Sequence, residues 1–240
     1  MKKKLLFLLP LLLMPLTACD MSNLTNKGDD DDSIEVSEPG AGEKLSFDKD
    51  EVANKLKTYG QTTGFDITLE TKTVQEGETT QNTMEVAMKD NMVWVITDGS
   101  YAGVEATSNT TITVFTSEDG TTFDVTELGP DDLEGKTPEE FFDEYLESLT
   151  SFFYFAEYYK SLGLTKVKDL TYVGRNASEY ELSMYYGSVG SSFKTYVDKE
   201  LGITLYFLAD STDEDGIKTT TEFKVTSFKS GDQVVKPNIH

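Results

Sequence analysis

The chain has 240 residues and a formal charge of −22, from 43 acidic against 21 basic side chains, with one cysteine and one histidine. So acidic a surface repels nucleic acid and anionic headgroups. A single thiol excludes any disulfide within the chain, and a single histidine at the last position, His240, argues against imidazole-based catalysis or a zinc cluster.

In chain order, Lys2, Lys3 and Lys4 precede an apolar run from Leu5 to Leu16 that Pro10 and Pro15 interrupt. The run is shorter than the roughly 20 residues a membrane-crossing helix needs. A charged start, a short apolar centre and small residues at its end read as a secretory signal over residues 1–18. Leu16-Thr17-Ala18-Cys19 is similar to the bacterial lipobox, in which the cysteine receives diacylglycerol, gains acyl chains such as palmitate and becomes the mature amino terminus. Two acyl chains suffice for stable anchoring. The expected location is therefore extracytoplasmic, on a bacterial cell membrane, with that membrane as the first partner.

Residues 19–44 are polar, with the run Asp29 to Asp32, Pro39 and Gly40-Ala41-Gly42. They read as a disordered tether with a reach of roughly 25 to 30 Å, lengthened by charge repulsion. Residues 45–240 then form one domain. Its first helix is DKDEVANKLKTY, with Val52, Leu56 and Tyr59 on one side and Gly60 as its stop. Period-two alternation follows in Phe65, Ile67 and Leu69, then in Met84, Val86 and Met88, in MVWVITD, in 101–107, in 110–116 and in 121–126. That predicts six strands.

TPEEFFDEYLESLTSFFYFAEYYKSL, residues 137–162, predicts a long amphipathic helix. Thr137 is its N-cap, Pro138 its first position, Glu140 the capping-box acid and Gly163 the stop. Its apolar face is Phe142, Tyr145, Leu146, Leu149, Phe153 and Ala156. Five more strands follow, through LTYVG, Tyr180 to Tyr186, Phe193 to Val197, ITLYFLAD and IKTTTEFKVTSFK. The expected fold class is α+β: a large curved antiparallel sheet of about eleven strands, an open half-barrel, with helices on its concave face and an outward face rich in Thr, Lys and Glu. Ser211 to Glu222 imitates a calcium loop lacking its first aspartate; strand alternation around it makes a charged hairpin turn the better reading.

The order of helix, six strands, long helix and five strands resembles the LolA-like half-barrel superfamily, and within it the lipid-carrying lipoproteins of the LppX and LprG type. The closing run FKTYVDKELGITLYFLADSTDEDGIKTTTEFKVTSFK is its closest local match. The resemblance implies a lipid or other hydrophobic ligand held in the hollow of the sheet. The side chains expected to line that hollow are Phe65, Ile67, Met84, Val86, Met88 and Trp94 on strands, and Phe142, Tyr145, Leu149 and Phe153 on the helix. The carrier's early-strand arginine has no counterpart, because the only arginine here is Arg175, beyond the long helix. Envelope-stress regulators with a similar half-barrel bind a membrane protein, which makes an interaction module without lipid cargo the alternative. Neither reading needs a cofactor, a metal or enzymatic chemistry.

Overall fold

The computed structural model describes residues 35–36, 48–154, 164–186 and 189–239, with 35–36 and 184–186 described by backbone alone. Cys19, the helical reading over residues 155–163 and His240 lie outside the described residues.

Helix α1, Lys49–Thr62, starts at Asp48, whose carboxylate accepts from the Glu51 amide at 2.7 Å. Gly60 does not stop it. The glycine is buried against Met88, and a Cβ there would collide with the methionine thioether, so Gly60 serves the close approach of helix to sheet. The stop lies at Gly64, with φ of 82°, where the amides of Thr63 and Gly64 both reach the Tyr59 carbonyl.

Six strands follow: β2 Phe65–Gln75, β3 Glu78–Lys89, β4 Met92–Thr97, β5 Ser100–Ser108, β6 Thr111–Ser117 and β7 Asp124–Leu128. Helix α2 is Pro138–Thr150, and after it come β8 Thr165–Tyr172, β9 Arg175–Tyr186, β10 Val189–Asp198, β11 Thr204–Thr212 and β12 Lys218–Ser230. These are the eleven expected strands. The two-residue β1, Glu35–Val36, joins them by pairing with Tyr185 and Met184 of β9. All pairings are antiparallel, in the order β1-β9-β10-β11-β12-β2-β3-β4-β5-β6-β7, with β8 beside β9. The sheet is open, ending at β7 on one side and at β8 and β1 on the other. Bulges at Ala106/Ser108, Tyr196/Val197 and Val225/Ser227 bend its strands.

The N-terminus of α2 is the capping box read from the sequence. The Glu140 amide donates to Thr137 Oγ1 at 3.2 Å and the Thr137 amide to the Glu140 carboxylate at 2.7 Å. That backbone bond, with the Thr137 hydroxyl, holds the Glu140 carboxyl below the ordinary carboxylate range. Replacing Thr137 by alanine should cost roughly 1 kcal/mol, read as a shift of the urea midpoint at unchanged slope. The other end differs from the expectation: α2 stops at Thr150 and does not run on through Phe153. The amides of Phe152 and Phe153 tighten onto Leu149 and Thr150, and the Phe153 carbonyl then takes the amide of Thr204 at the start of β11. A long-range strand contact thus takes the acceptor that a further helical turn would use.

Both helices lie on one face of the sheet, α1 over β3 and α2 beside it over β5 and β6. Lys57 of α1 ties them together through Asp143 at 2.7 Å and Glu139 at 3.2 Å. The opposite face is not polar throughout. Over β9–β12 and β2 it carries the expected ion pairs, such as Lys194 with Glu181 and Lys224 with Glu70. Over β3–β6 it carries a second apolar cluster of Ala87, Met92, Trp94 and Phe115, covered by Val234 and Ile239 of the segment after β12. Ser211 to Glu222 is a hairpin: Thr212 pairs with Lys218, and Asp213 Oδ1 accepts from the Asp215 and Ile217 amides. Among the described residues no helix is long and apolar enough to cross a membrane.

Candidate hydrophobic site and its charged rim

Register decides which of the ten expected lining residues meet. Phe65 pairs with Met88, Ile67 with Val86 and Leu69 with Met84, so Phe65, Ile67, Met84, Val86 and Met88 share the helix face. Phe142, Leu149 and Phe153 are buried from the α2 side. With Met88, Ile67 and Phe153 at 0% exposure, these side chains belong to the core. Met84, toward the far end of its strand, is half-buried.

Trp94 does not belong with them. Ala87 pairs with Trp94 while Met88 pairs with Val93, so the indole points to the opposite face, beneath Val234 and Ile239. The run MVWV is buried on both faces of its strand. An uninterrupted apolar run of this kind signals a strand covered on both sides, and it was the sequence clue to the second cluster.

Tyr145 is brought to the helix face but with a polar end that finds no described partner. Its hydroxyl is buried without a hydrogen bond among the described residues, and burial pushes the phenol well above its ordinary range.

The helix face continues across the other half of the sheet. The register from β9 to β12 places Tyr180, Leu182, Phe193, Phe207, Phe223 and Val225 on it, all buried. The Phe193 and Phe207 rings stack 6.3 Å apart at 14°. Toward the far ends of these strands apolar side chains give way to hydroxyls, and Thr221 Oγ1 is buried there without a described partner. The alternation of these strands is plain in the sequence. Their joining to Phe65 and Ile67 through the β12–β2 pairing is not, because it links opposite ends of the domain.

At the end of the sheet where β9 begins, a charged pocket of about 360 Å³ is lined by Asp169, Gly174, Arg175, Asn176, Asp198 and Glu200 among others. Arg175 grips Asp198 with two nitrogens, Nε to Oδ2 at 2.7 Å and Nη2 to Oδ1 at 3.1 Å, and reaches Glu200 at 2.9 Å. Asp198, 1% exposed, also accepts from the amides of Glu200 and Leu201. The guanidinium lies 4.7 Å from the ring centre of Phe228 and 5.6 Å from that of Tyr59. It therefore joins the β10–β11 turn to α1 and β12. A bond from Ser178, with Lys166 and Lys199, holds the Asp169 carboxyl well below the ordinary range. Every charged group named here has a partner, so the pocket presents fixed ion pairs. Among the described residues no group of three or more His, Cys, Asp or Glu is placed to hold a metal.

No family model matches the chain, and no curated protein matches it. Solved structures that match include MucB in complex with MucA(peri), at 16% identity and TM-score 0.33, covering 80% of this chain and 59% of that one. A putative outer membrane lipoprotein-sorting protein domain from Vibrio parahaemolyticus matches at 10% identity and TM-score 0.27, covering 79% of this chain and 95% of that one. A LolA superfamily protein, NE2245 from Nitrosomonas europaea, matches at 10% identity and TM-score 0.23, covering 77% and 94%. The chain thus spans about three fifths of the MucB chain.

Proposed function

We propose that this chain is an extracytoplasmic bacterial lipoprotein, exported by residues 1–18, anchored through diacylglycerol on Cys19, and carrying a non-catalytic domain that binds a lipid or other hydrophobic ligand. The supporting observation is the extent of the helix face. α1 and α2 lie over β3, β5 and β6, whereas the apolar face continues over β9–β12 through Leu182, Phe193, Phe207 and Phe223. Leu182, Phe193, Phe207 and Phe223 are themselves buried within the protein, so the proposed ligand lies beyond them, toward the hydroxylated strand ends where Thr221 Oγ1 is buried without a hydrogen-bond partner among the described residues. Of the ten side chains expected to line a hollow, Met84 and Tyr145 are the two whose incomplete burial suits contact with such a ligand; the packed remainder supports the platform from below.

The tight packing around Met88 and Phe142 supports a second reading, an envelope interaction module for a membrane-protein partner without lipid cargo. One experiment separates the two. Protein purified from its native host is extracted under denaturing conditions and the extract examined by lipid mass spectrometry. A stoichiometric lipid is the expected result. Clean protein, together with one stoichiometric membrane protein recovered by crosslinking, would replace the first reading with the second. Palmitate labelling that survives Cys19→Ser would overturn the anchor.

A further inference from the structure

The face of β3–β6 that carries no helix is built in rows. Ala87, Trp94, Gly103 and Phe115 stand side by side across the four strands, and Lys89, Met92 and Glu105 form a neighbouring row. Over β9–β12 and β2 the same face is finished with ion pairs, so strand pairing alone does not require an apolar floor on β3–β6. Residues 231–239 cover that floor. Val234 and Ile239 are buried on it, while Val235 beside Val234 is 77% exposed. The cover leaves β12 at Gly231, where φ is 66°, and residues 234–239 form no strand. Pro237 lacks the amide that a ladder would need. What holds the cover is side chains. Lys89 Nζ donates to the carbonyls of Gly231 at 3.3 Å and Val234 at 2.9 Å, and Lys236 pairs with Glu105 at 3.1 Å and Asp90 at 3.7 Å. β12 ends at Ser230, paired with Phe65, so lifting the cover breaks no strand pairing.

We propose that this face is a peptide-binding groove which residues 231–239 occupy in cis, and that the segment exchanges with an extended stretch of a partner protein. The partner stretch carries two aliphatic residues at the spacing of Val234 and Ile239, with a lysine or arginine between them. Recognition of an extended peptide takes affinity from main-chain bonds and specificity from side-chain pockets. Both are present here. Lys89 binds main-chain carbonyls that any sequence offers, and the floor around Trp94 takes the two aliphatic side chains. Glu105, 16% exposed, and Asp90 are the acidic side that a basic residue meets. Uncovered, the floor is an apolar patch of the kind that marks a protein contact. The groove lies opposite the helices and is independent of any cargo on the helix face.

The test uses the full chain, a labelled synthetic peptide of residues 231–239 as probe, and the emission of Trp94, the only tryptophan. Ile239→Asp should release the cover and shift that emission to the red at unchanged far-ultraviolet dichroism. It should bind the peptide at least about tenfold more tightly than the unaltered protein, whose own segment competes at a millimolar effective concentration. Bound peptide should return the emission to the blue. Adding Glu105→Lys should weaken binding, and the same peptide carrying Lys236→Glu should restore it, a rescue that a merely structural role for Glu105 does not produce. In the unaltered protein the Val234 amide donates to the Gly231 carbonyl, and the Ala106 amide donates to Asn91 in the sheet beneath. Val234 should exchange at least about a hundredfold faster than Ala106, because the cover opens locally. A folded Ile239→Asp protein that binds no peptide would overturn the groove. Binding indifferent to Glu105→Lys would overturn the preference for a basic residue. Equal exchange at Val234 and Ala106, whatever the fold of the variant, would overturn the proposal, since the cover would then leave only with global unfolding.

Discussion

Replacing Arg175 by alanine is expected to destabilise the folded protein by about 3–5 kcal/mol. The cause is less the lost attraction than what remains behind: Asp198, 1% exposed, would keep its charge with two backbone amides as its only support. The guanidinium also packs on Phe228 and Tyr59, so the variant loses the contact between the β10–β11 turn and α1. Arg175→Lys should recover only part of the loss, because a lysine cannot make the two parallel bonds to Asp198. Combining Arg175→Ala with Asp198→Asn should likewise recover part of it by removing the stranded charge. Urea unfolding of the four proteins measures this directly. A loss under 1 kcal/mol for Arg175→Ala would show that the junction is solvated and that the pocket is an ordinary surface hollow.

The second large effect lies on the face without helices. Phe115 is fully buried, with its ring against the bare backbone of Gly103, where a Cβ would meet both the ring and the Val93 carbonyl. It also contacts Phe123 edge-on at 6.0 Å and shares the cluster of Trp94, Val234 and Ile239. Phe115→Ala should cost about 3–5 kcal/mol through lost burial and the cavity left behind. Trp94 emission should shift to the red, because the segment above it loses one of the rings it rests on. Val125→Ala on β7, where the valine is 40% exposed, should stay within about 0.5 kcal/mol. A Phe115→Ala protein with unchanged stability would mean that the second cluster is incidental to the fold.

The strand count and the α2 cap were legible because they are local. Alternation such as Phe65-Ile67-Leu69 writes a half-buried strand directly into neighbouring residues, and Thr137-Pro138 with Glu140 specifies a helix start within one turn. The places where the reading missed are those where a distant segment overrides a local signal. Gly60 reads as a helix stop, yet Met88 from β3 makes it a packing glycine. The aromatic run after Leu149 reads as continuing helix, yet Thr204 takes the Phe153 carbonyl. Trp94 reads as part of the hollow, and a one-residue parity in β4 sends it to the other side.

The sequence by itself determined the α+β class, the eleven strands, the starting residues of both helices and the hairpin at Asp213 to Gly216, because each depends on residues within a few positions of one another. Only the tertiary structure decided which carboxylate Arg175 would hold, that Asp66 of β2 would pair with Lys229 of β12, and that both faces of β4 would be covered. Those outcomes depend on pairing between residues as far apart as Asp66 and Lys229. Hydrophobic periodicity says that a face must be buried. It does not say against what, and that partner is chosen by the closure of the whole sheet.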